Sequence, residues 1–372
     1  MKKKILVVGP LPPPIHGESI AIDTIVSSRN LKKIFNIEVI DTSRGEIKNI
    51  GKFTNKKIKD DILRITRLNK LVRNYNTDIL YISISQTRFG LLRDIIMINI
   101  GRKRVKKVIT HLHGNKLGEL INSLNNYEKL FVKNGLLKVD VAVVLGDSLR
   151  NNFLGFPKKV EIISNGIDED FIPNELIVSN QERKFQKKVD DPIQIVYLSN
   201  LMKSKGYHKI IKSVLNLRKQ GFNLTLKLAG LIQDETLFES VMKEVQEENQ
   251  SQFIEHLGVV TGQEKKDLLL NSDIMVLASD FEGQPISIIE GLAAGLPIIS
   301  SCVGAIPDLI LDNGILLKDP TIAELQTHIS EISTDKQMRI EMGKKSRELF
   351  LEKFTNKVYL ENLTKIFKDN GE

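Results

Sequence analysis

The stretch IMVLASDFEGQPISIIEGLAAGLPIISS, residues 274–301, indicates the class of the fold. It begins with an apolar run of strand length, Ile274–Ala278, and continues into a loop that contains Gly283 and Pro285. A small-residue segment of helix length follows, and a short turn leads to a second apolar run, Ile298–Ser301. Because a strand, a helix and a strand succeed one another, the stretch predicts a βαβ unit with parallel strands.

The same alternation extends over the whole chain and predicts an α/β fold. Twelve short apolar runs are strand candidates: Ile5–Gly9, Ile37–Asp41, Ile79–Ser83, Val108–His113, Val141–Leu145, Val160–Ser164, Ile193–Ser199, Leu224–Gly230, Phe253–Leu257, Ile274–Ala278, Ile298–Ser301 and Gly314–Leu317. Two sets of about six strands predict two Rossmann-like domains with ligands at the carboxyl ends of the strands. We expect residues 1–170 and 171–354 to form these domains, and a helix at about 355–372 to pack back on the first.

Length and composition agree with two globular domains. The chain has 372 residues, of which 41% are hydrophobic and 27% charged, and domains usually hold roughly 100–200 residues. Cys302 is the one cysteine, which excludes an intramolecular disulfide, and it lies in an apolar run that predicts burial. The polar stretch at residues 168–191 has no clear hydrophobic period and predicts a mobile connector between the domains.

Charge is divided unevenly between the two halves. Residues 1–190 hold 34 Lys and Arg against 20 Asp and Glu, a net charge of +14, whereas residues 191–372 have a net charge of −6. A basic half fits an anionic surface, namely nucleic acid, membrane headgroups or a phosphorylated substrate. The sequence has no long apolar segment typical of a signal peptide or a membrane span, which predicts a cytoplasmic protein.

Three motifs at predicted strand ends are candidates for ligand binding. A proline-rich loop after the first strand reaches Gly17, where a helix begins and backbone amides could hold a phosphate. His111 and His113 lie on one side of the fourth strand, which is compatible with a substrate contact at His113, a structural role or the start of a metal site. Lys205 lies at a strand-to-helix turn, which suits a diphosphate, although an exposed surface lysine is the alternative.

The strongest motif is the pair of carboxylates within the opening stretch. Glu282 lies in the glycine-containing loop, and Glu290 lies on an otherwise apolar helix. A carboxylate on a buried helix face is costly unless it meets hydroxyl groups or a cation. Sugar and ribose hydroxyls would supply such donors, and the loop amides would donate to a phosphate, so the motif predicts a nucleotide-sugar site.

At this point the sequence resembles the family 4 retaining glycosyltransferases of the GT-B type. The glutamate, seven residues and glutamate at Glu282–Glu290 are similar to the family's signature, and the helix and strand that follow resemble it too. Ile163–Asp168 is similar to its interdomain "PNGVD" segment, and Leu201–Gly206 to the "GRLxxxKG" element. His113 and Gly17 occupy the positions of the family's central histidine and first-loop glycine.

The resemblance implies two Rossmann-like domains whose parallel sheets face each other across a cleft, and a retaining transfer of a hexosyl or N-acetylhexosaminyl group. It implies a nucleotide-diphosphate sugar donor, most simply a UDP-sugar, and no cofactor or metal. The residues given catalytic roles are His113, Glu282 and Lys205. The residues given donor-binding roles are Gly17, Asn165, Asn200, Lys205, Leu257, Val259, Glu282, Gly283, Gln284, Pro285, Ile286, Ser287 and Glu290.

The sequence departs from the family pattern at two places. Asn200 replaces the family's arginine, and Ser199 replaces the glycine before it. Either Lys205 carries more of the diphosphate charge, or another basic residue substitutes for the arginine. Where the family has the segment "EGFG", this chain has Glu282 and Gly283 followed by Gln284 and Pro285. Pro285 lacks a backbone N–H, so it removes one donor that the sugar would otherwise meet.

The acceptor is predicted from the first half, as a glycan or polyprenyl-linked molecule of cell-envelope or polysaccharide synthesis. An apolar helix, residues 89–100, precedes Arg102, Lys103, Arg104, Lys106 and Lys107. This arrangement predicts peripheral docking on an anionic membrane, with a buried helix and a solvated basic loop as the alternative.

Two other functions stay open, a nucleotide-sugar epimerase of the same fold and a non-enzymatic basic membrane adaptor. No aromatic-rich basic motif predicts nucleic-acid binding.

Overall fold

The contacts of a computed structural model divide the chain into two compact units. Unit 1 comprises Met1–Asn165 together with Asn356–Glu372, and unit 2 comprises Gly166–Thr355. The structure describes residues 2–43, 55–157, 159–188 and 190–369. Both units are α/β, as the alternating pattern predicts.

Unit 1 contains a six-stranded sheet whose paired strands are all parallel. Its strands are β1 (Lys4–Gly9), β2 (Asn36–Asp41), β3 (Ile79–Ser83), β4 (Lys107–Leu112), β5 (Val141–Val144) and β6 (Val160–Ile162). Their order is β2-β1-β3-β4-β5-β6. The order reverses between β1 and β3, and in open parallel sheets such a switch point opens a crevice at the carboxyl ends of the strands.

Helices cover this sheet, and the last helix of the chain is one of them. The helices of unit 1 are α1 (Gly17–Ser27), α2 (Arg29–Ile34), α3 (Asn55–Asn74), α4 (Arg88–Arg102), α5 (Leu117–Ser123), α6 (Asn126–Leu136) and α14 (Asn356–Lys368). In α14, Tyr359, Leu363 and Phe367 are buried in one core cluster with side chains of the sheet. The ring of Phe367 meets that of Tyr81 edge to face, with centroids 5.8 Å apart. Burial of these rings fixes the C-terminal helix on unit 1.

Unit 2 contains a second six-stranded sheet, again with parallel pairs throughout. Its strands are β7 (Ile193–Leu198), β8 (Leu224–Ala229), β9 (Ile254–His256), β10 (Ile274–Leu277), β11 (Ile298–Ser301) and β12 (Gly314–Leu317). The order β12-β11-β10-β7-β8-β9 is that of the Rossmann fold, with its switch point between β7 and β10.

The helices of unit 2 alternate with these strands. They are α7 (Asn174–Gln186), α8 (Tyr207–Lys219), α9 (Glu235–Glu247), α10 (Gly262–Asn271), α11 (Ile286–Ala293), α12 (Ile322–Thr334) and α13 (Lys336–Lys353). The residues of β10 and most of α11 are fully buried, so the opening stretch of the sequence lies in the centre of this unit. No helix in the described part of the chain is both long and apolar enough to cross a membrane.

Two predictions from the sequence are wrong. The expected connector at residues 168–191 contains helix α7, which buries Ile177 and Asn180 and is fixed by Arg183, a donor to Asn271 at 2.7 Å. Of its two buried residues one is apolar and one polar, and several of its contacts are polar, which fits the absence of a clear hydrophobic period. Cys302 is exposed, not buried, because the buried strand β11 ends one residue before it.

One of the basic residues after α4, Lys107, is not available for the predicted docking on a membrane. Helix α4 is a buried sheet-covering helix, with Leu91, Ile95 and Ile98 inaccessible to solvent. Lys107 is the first residue of β4 and is 7% exposed, because its Nζ donates to the carbonyls of Ile366 and Asp369 at 2.9 Å. A membrane surface therefore has no access to Lys107.

Candidate functional site

The candidate donor-binding residues of unit 2 lie in the loops that follow β7 and β10, at the switch point of the sheet. The loop after β7 ends in a 3₁₀ turn, Lys203–Lys205, and Gly206 then adopts a φ of +72°. A Cβ at Gly206 would collide with the carbonyl of Ala278 at the end of β10. Glycine thus permits both the left-handed backbone and the close approach of the two loops.

Lys205 and Glu282 meet in this place. The Nζ of Lys205 donates to Oε1 of Glu282 at 2.6 Å, and Ser279 Oγ donates to the same oxygen at 2.7 Å. The side chains of Lys205 and Glu282 are 22% and 9% exposed. The two loops are further joined by the amide of Asp280, which donates to the carbonyl of Ser204 at 2.8 Å. A cation and a carboxylate from distant parts of the sequence are therefore held side by side.

Glu290 is the fifth residue of α11 and is 8% exposed. Burial raises the pKa of its carboxyl, and Lys265 on α10 opposes this rise by donating to Oε1 at 2.7 Å. Sequence analysis missed Lys265, which lies in a charged helix among Glu264, Lys266 and Asp267. A lysine beside Glu290 keeps the buried carboxylate in its charged form.

The loop between Glu282 and α11 presents backbone groups. Ala305 donates to the carbonyl of Gly283 at 2.7 Å, which braces this loop from the β11 side. Gln284 is buried, and Pro285 is the N-cap of α11. The amides of Ile286 and Ser287 begin the helix, where N–H groups lack an intrahelical acceptor and the helix dipole favours an anion.

The other donor-binding candidates of unit 2 lie on neighbouring strand ends. Asn200 follows β7 and is exposed, and its carbonyl accepts from the hydroxyl of Tyr197 at 2.8 Å. Leu257 follows β9 and is half-buried, whereas Val259 is 62% exposed. All of these residues therefore lie at the carboxyl edge of the sheet, although the structure gives no contact between them and Glu290.

The candidates of unit 1 are Gly17, His113 and Asn165. Gly17 is the first residue of α1, and His16 caps that helix by accepting from the amide of Ser19 at 3.2 Å. The next residue, Glu18, accepts from Ser83 Oγ at 2.5 Å at the end of β3. Burial raises the pKa of Glu18. This contact lies at the β1–β3 switch point and was not predicted from the sequence.

His113 lies one residue beyond β4, and its ring lies 4.0 Å from that of His111 between centroids, tilted by 33°. Burial lowers the pKa of His113 to about 3, against an opposing interaction with the side chain of Asn165. The pKa of His111 is lowered well below its usual value by burial and by His113. Both imidazoles are therefore neutral at pH 7, and the Nδ1 of His111 is 2.5 Å from the hydroxyl of Tyr81.

Neutral imidazoles can bind a metal, but a site needs further ligands. Within the described residues no group of three or more His, Cys, Asp or Glu side chains is arranged to hold a metal ion. Of the two rings, that of His111 is fully buried and that of His113 is half-buried, so His113 is the one that can meet a polar substrate at the carboxyl end of β4. A neutral imidazole can exchange hydrogen bonds with such a substrate without adding charge.

Known proteins resemble this chain in sequence and in structure. Residues 178–349 match the family described as "Glycosyl transferases group 1". WcaL of Escherichia coli, a candidate colanic acid biosynthesis glycosyltransferase, is 25% identical over 215 residues, which are 55% of this chain and 49% of WcaL. The chain thus spans about half the length of that relative.

Two further proteins match more of the chain. The N-acetyl-alpha-D-glucosaminyl L-malate synthase of Bacillus anthracis is 23% identical over 316 residues, 83% of this chain and 79% of the synthase. The crystal structure of Anabaena HepE in complex with UDP and glucose aligns with a TM-score of 0.70 at 16% identity, over 99% of this chain and all of HepE. The chain therefore has the GT-B fold, and its residues 178–349 are similar to the glycosyl transferases group 1 family.

Proposed function

We propose that this protein transfers a hexosyl or N-acetylhexosaminyl group from a nucleotide-diphosphate sugar, with retention of the anomeric configuration. The observation that carries the proposal is the meeting of Lys205 and Glu282 at the β7–β10 switch point, with Glu290 on the adjoining helix. Two carboxylates, one ammonium group and a helix start match the hydroxyls and phosphates of such a donor. The complex of HepE with UDP and glucose favours UDP as the nucleotide.

Lys205 is the proposed stabiliser of the leaving diphosphate. An ammonium group has three donors, so Lys205 can bind Glu282 and a phosphate oxygen together. Charge grows on the diphosphate as the glycosidic bond breaks, and a fixed cation stabilises that transition state more than the ground state. The amides of Ile286 and Ser287 add partial positive charge.

The two glutamates divide the donor in this proposal. Glu282 accepts from hydroxyls of the transferred sugar, and Glu290 accepts from ribose hydroxyls. Lys265 binds one oxygen of Glu290, which leaves Oε2 for the ribose. Lys265 is therefore a positioning residue for Glu290. For unit 1 we propose that Gly17, His113 and Asn165 contact the substrate, through backbone and uncharged side-chain groups.

The relatives suggest two kinds of acceptor. WcaL is named for colanic acid biosynthesis, whereas the Bacillus anthracis synthase is named for an N-acetyl-alpha-D-glucosaminyl L-malate. We propose a glycan or polyprenyl-linked acceptor of cell-envelope synthesis, reached from an anionic membrane surface. Lys103 and Arg104 are the exposed cations of the predicted basic segment that form no ion pair with a described residue. Lys107 is buried, Arg102 pairs with Asp140 at 2.5 Å and the exposed Lys106 pairs with Asp78 at 2.8 Å.

A panel of nucleotides and nucleotide sugars tests the donor by thermal shift, because a ligand of the folded state raises Tm. We expect UDP and one UDP-sugar to stabilise the wild type and the exposed control Lys203→Met, which removes a charge from the same turn. Lys205→Met should lose most of the shift and more than tenfold of the turnover, since a charged hydrogen bond contributes about 1.5–3 kcal/mol. Stabilisation by no nucleotide, or an inverted anomeric centre in the product by NMR, would refute the proposal.

A further inference from the structure

A second cluster of charged side chains lies in unit 2 at the opposite end of β10 from Glu282. Lys184 and Lys187, from α7 and the residue that ends it, face Lys336 and Arg339 in the first turn of α13. We call these four residues the basic pocket. Together with Asp273, which directly precedes β10, they line a narrow cavity of about 30 Å³.

The positive charge of the basic pocket is only partly neutralised. Asp273 Oδ2 accepts from Lys187 Nζ at 2.6 Å and from the amide of Gln194 at 2.8 Å. Asp335 caps α13 through the amide of Met338. Four cations thus face these two carboxylates. Two of the cations lie at a helix N-terminus, where the dipole favours negative charge.

Lys336 and Arg339 are held in place by uncharged acceptors. Lys336 Nζ donates to the carbonyl of Lys187 at 2.8 Å, and Arg339 donates to the carbonyls of Ile332 and Ser333 at 2.7 and 2.6 Å. These bonds orient the two side chains without cancelling their charge. The cations are therefore preorganised around the cavity rather than dispersed into solvent.

Lys184 is the least compensated member. Its side chain is partly buried and makes no hydrogen bond or ion pair with any residue in the described ranges. Burial lowers the pKa of its ammonium group to about 8, and the charges of Arg183, Lys187 and Arg339 add to this effect, against Asp273. The Nζ of Lys184 thus has three donors without an acceptor among the described residues, and a ligand in the cavity would supply such acceptors.

We propose that the basic pocket binds the phosphoryl group of a small anionic ligand. A phosphoryl group supplies two negative charges and several acceptor oxygens, which complement the ammonium group of Lys184 and the oriented cations of Lys336 and Arg339. A water molecule needs about 10–15 Å³ of such space, so the cavity admits one small group but not a nucleotide. Any larger part of the ligand must lie outside the cavity.

The test measures Tm of the full chain in inorganic phosphate, in a hexose phosphate and in chloride of equal ionic strength. Free phosphate at about ten times its Kd should lower the unfolding equilibrium constant roughly elevenfold. Lys184→Met and Lys336→Met should abolish the rise in Tm that phosphate causes. Lys344→Met, an exposed lysine of α13, should leave it intact.

A further variant separates the basic pocket from the candidate donor site. Lys205→Met should retain the phosphate effect, because it lies at the other end of β10. A larger shift with hexose phosphate would indicate a phosphorylated metabolite, and equal shifts would indicate free phosphate; either supports the site. The proposal is overturned if chloride matches phosphate, if Lys336→Met keeps the full shift, or if Lys205→Met alone removes it. Lys336→Met decides the matter should Lys184→Met fail to fold.

Discussion

Replacing Glu290 with glutamine should weaken bare UDP, whereas replacing Glu282 should not. Glu290 is proposed to hold the ribose, which UDP and a UDP-sugar share, and Glu282 to hold the sugar, which UDP lacks. A hydrogen bond to a charged group contributes about 1.5–3 kcal/mol, which is roughly 10-fold to 150-fold in Kd. Glu290→Gln should therefore weaken both ligands by this factor, and Glu282→Gln should weaken the UDP-sugar selectively.

The structure identifies a complication for Glu290. Its carboxylate pairs with Lys265 at 2.7 Å, so glutamine leaves a partly buried ammonium group without its counter-ion. Breaking a fully buried pair costs about 3–5 kcal/mol, and Lys265 is 24% exposed, so its cost should be smaller. The variant with both Glu290→Gln and Lys265→Met removes this cost. It should recover stability but not affinity for UDP.

Isothermal calorimetry with UDP and with the UDP-sugar on all three variants decides the assignment. Thermal unfolding of each variant without ligand separates lost affinity from lost stability. The division of the donor is wrong if Glu282→Gln weakens bare UDP as much as Glu290→Gln does. It is equally wrong if the double variant binds UDP like the wild type, because the loss in Glu290→Gln would then come from the unpaired lysine.

Three other predictions concern stability and docking. The pKa of His113 is about 3 in the folded protein and 6.5 in the unfolded chain, so its contribution to the free energy of unfolding is lost as pH falls from 6.5 toward 3. In the wild type this loss should lower the free energy of unfolding by about 2 kcal/mol between pH 7 and pH 5, and urea unfolding of His113→Asn should lack that decrease. Gly206→Ala should cost about 1–3 kcal/mol more than Gly221→Ala, because both glycines have positive φ but only a Cβ at Gly206 collides with backbone; equal losses in Tm would contradict this. Removing Lys103 and Arg104 together should weaken binding to anionic vesicles by about 1 kcal/mol per residue; equal binding to neutral vesicles would exclude the docking.

The strands were predictable because parallel strands buried on both faces are continuous apolar runs. Each of the twelve candidates is a strand, and three of them, Ile79–Ser83, Ile298–Ser301 and Gly314–Leu317, have the predicted limits. The other limits differ by a residue or two. The reason is that apolar residues such as Leu145 and Ala278 remain buried after the strand pairing has ended.

Helix α7 shows where the hydrophobic period fails as a signal. Several of its contacts with the rest of unit 2 are made by polar groups, for example Asn174, which accepts from Arg347 at 2.5 Å. Asn180 is buried and accepts from Arg183 within the same helix. A helix face with polar contacts has the same composition as a solvated segment. Only the positions of its tertiary partners distinguish a packed helix of this kind from a solvated segment. Two of the basic-pocket residues were overlooked for the same reason.

The candidate site also contains residues that the sequence made visible and one, Lys265, that it did not. The amides and dihedral angles that form a loop leading into a helix belong to residues that are neighbours in the sequence. The segment Glu282–Glu290 is therefore visible as a motif. The cation that a buried carboxylate needs has only to be near it in space. Glu282 takes its cation from a position 77 residues earlier, and Glu290 takes its own from 25 residues earlier, on a different helix. Any of several elements can supply such a partner, which is why the resemblance identified Lys205 but not Lys265. It follows that the effect of Asn200, where the family has arginine, cannot be derived from the motif alone. Compensating charge for the diphosphate has to be sought among cations near it in space, as Lys265 was found beside Glu290.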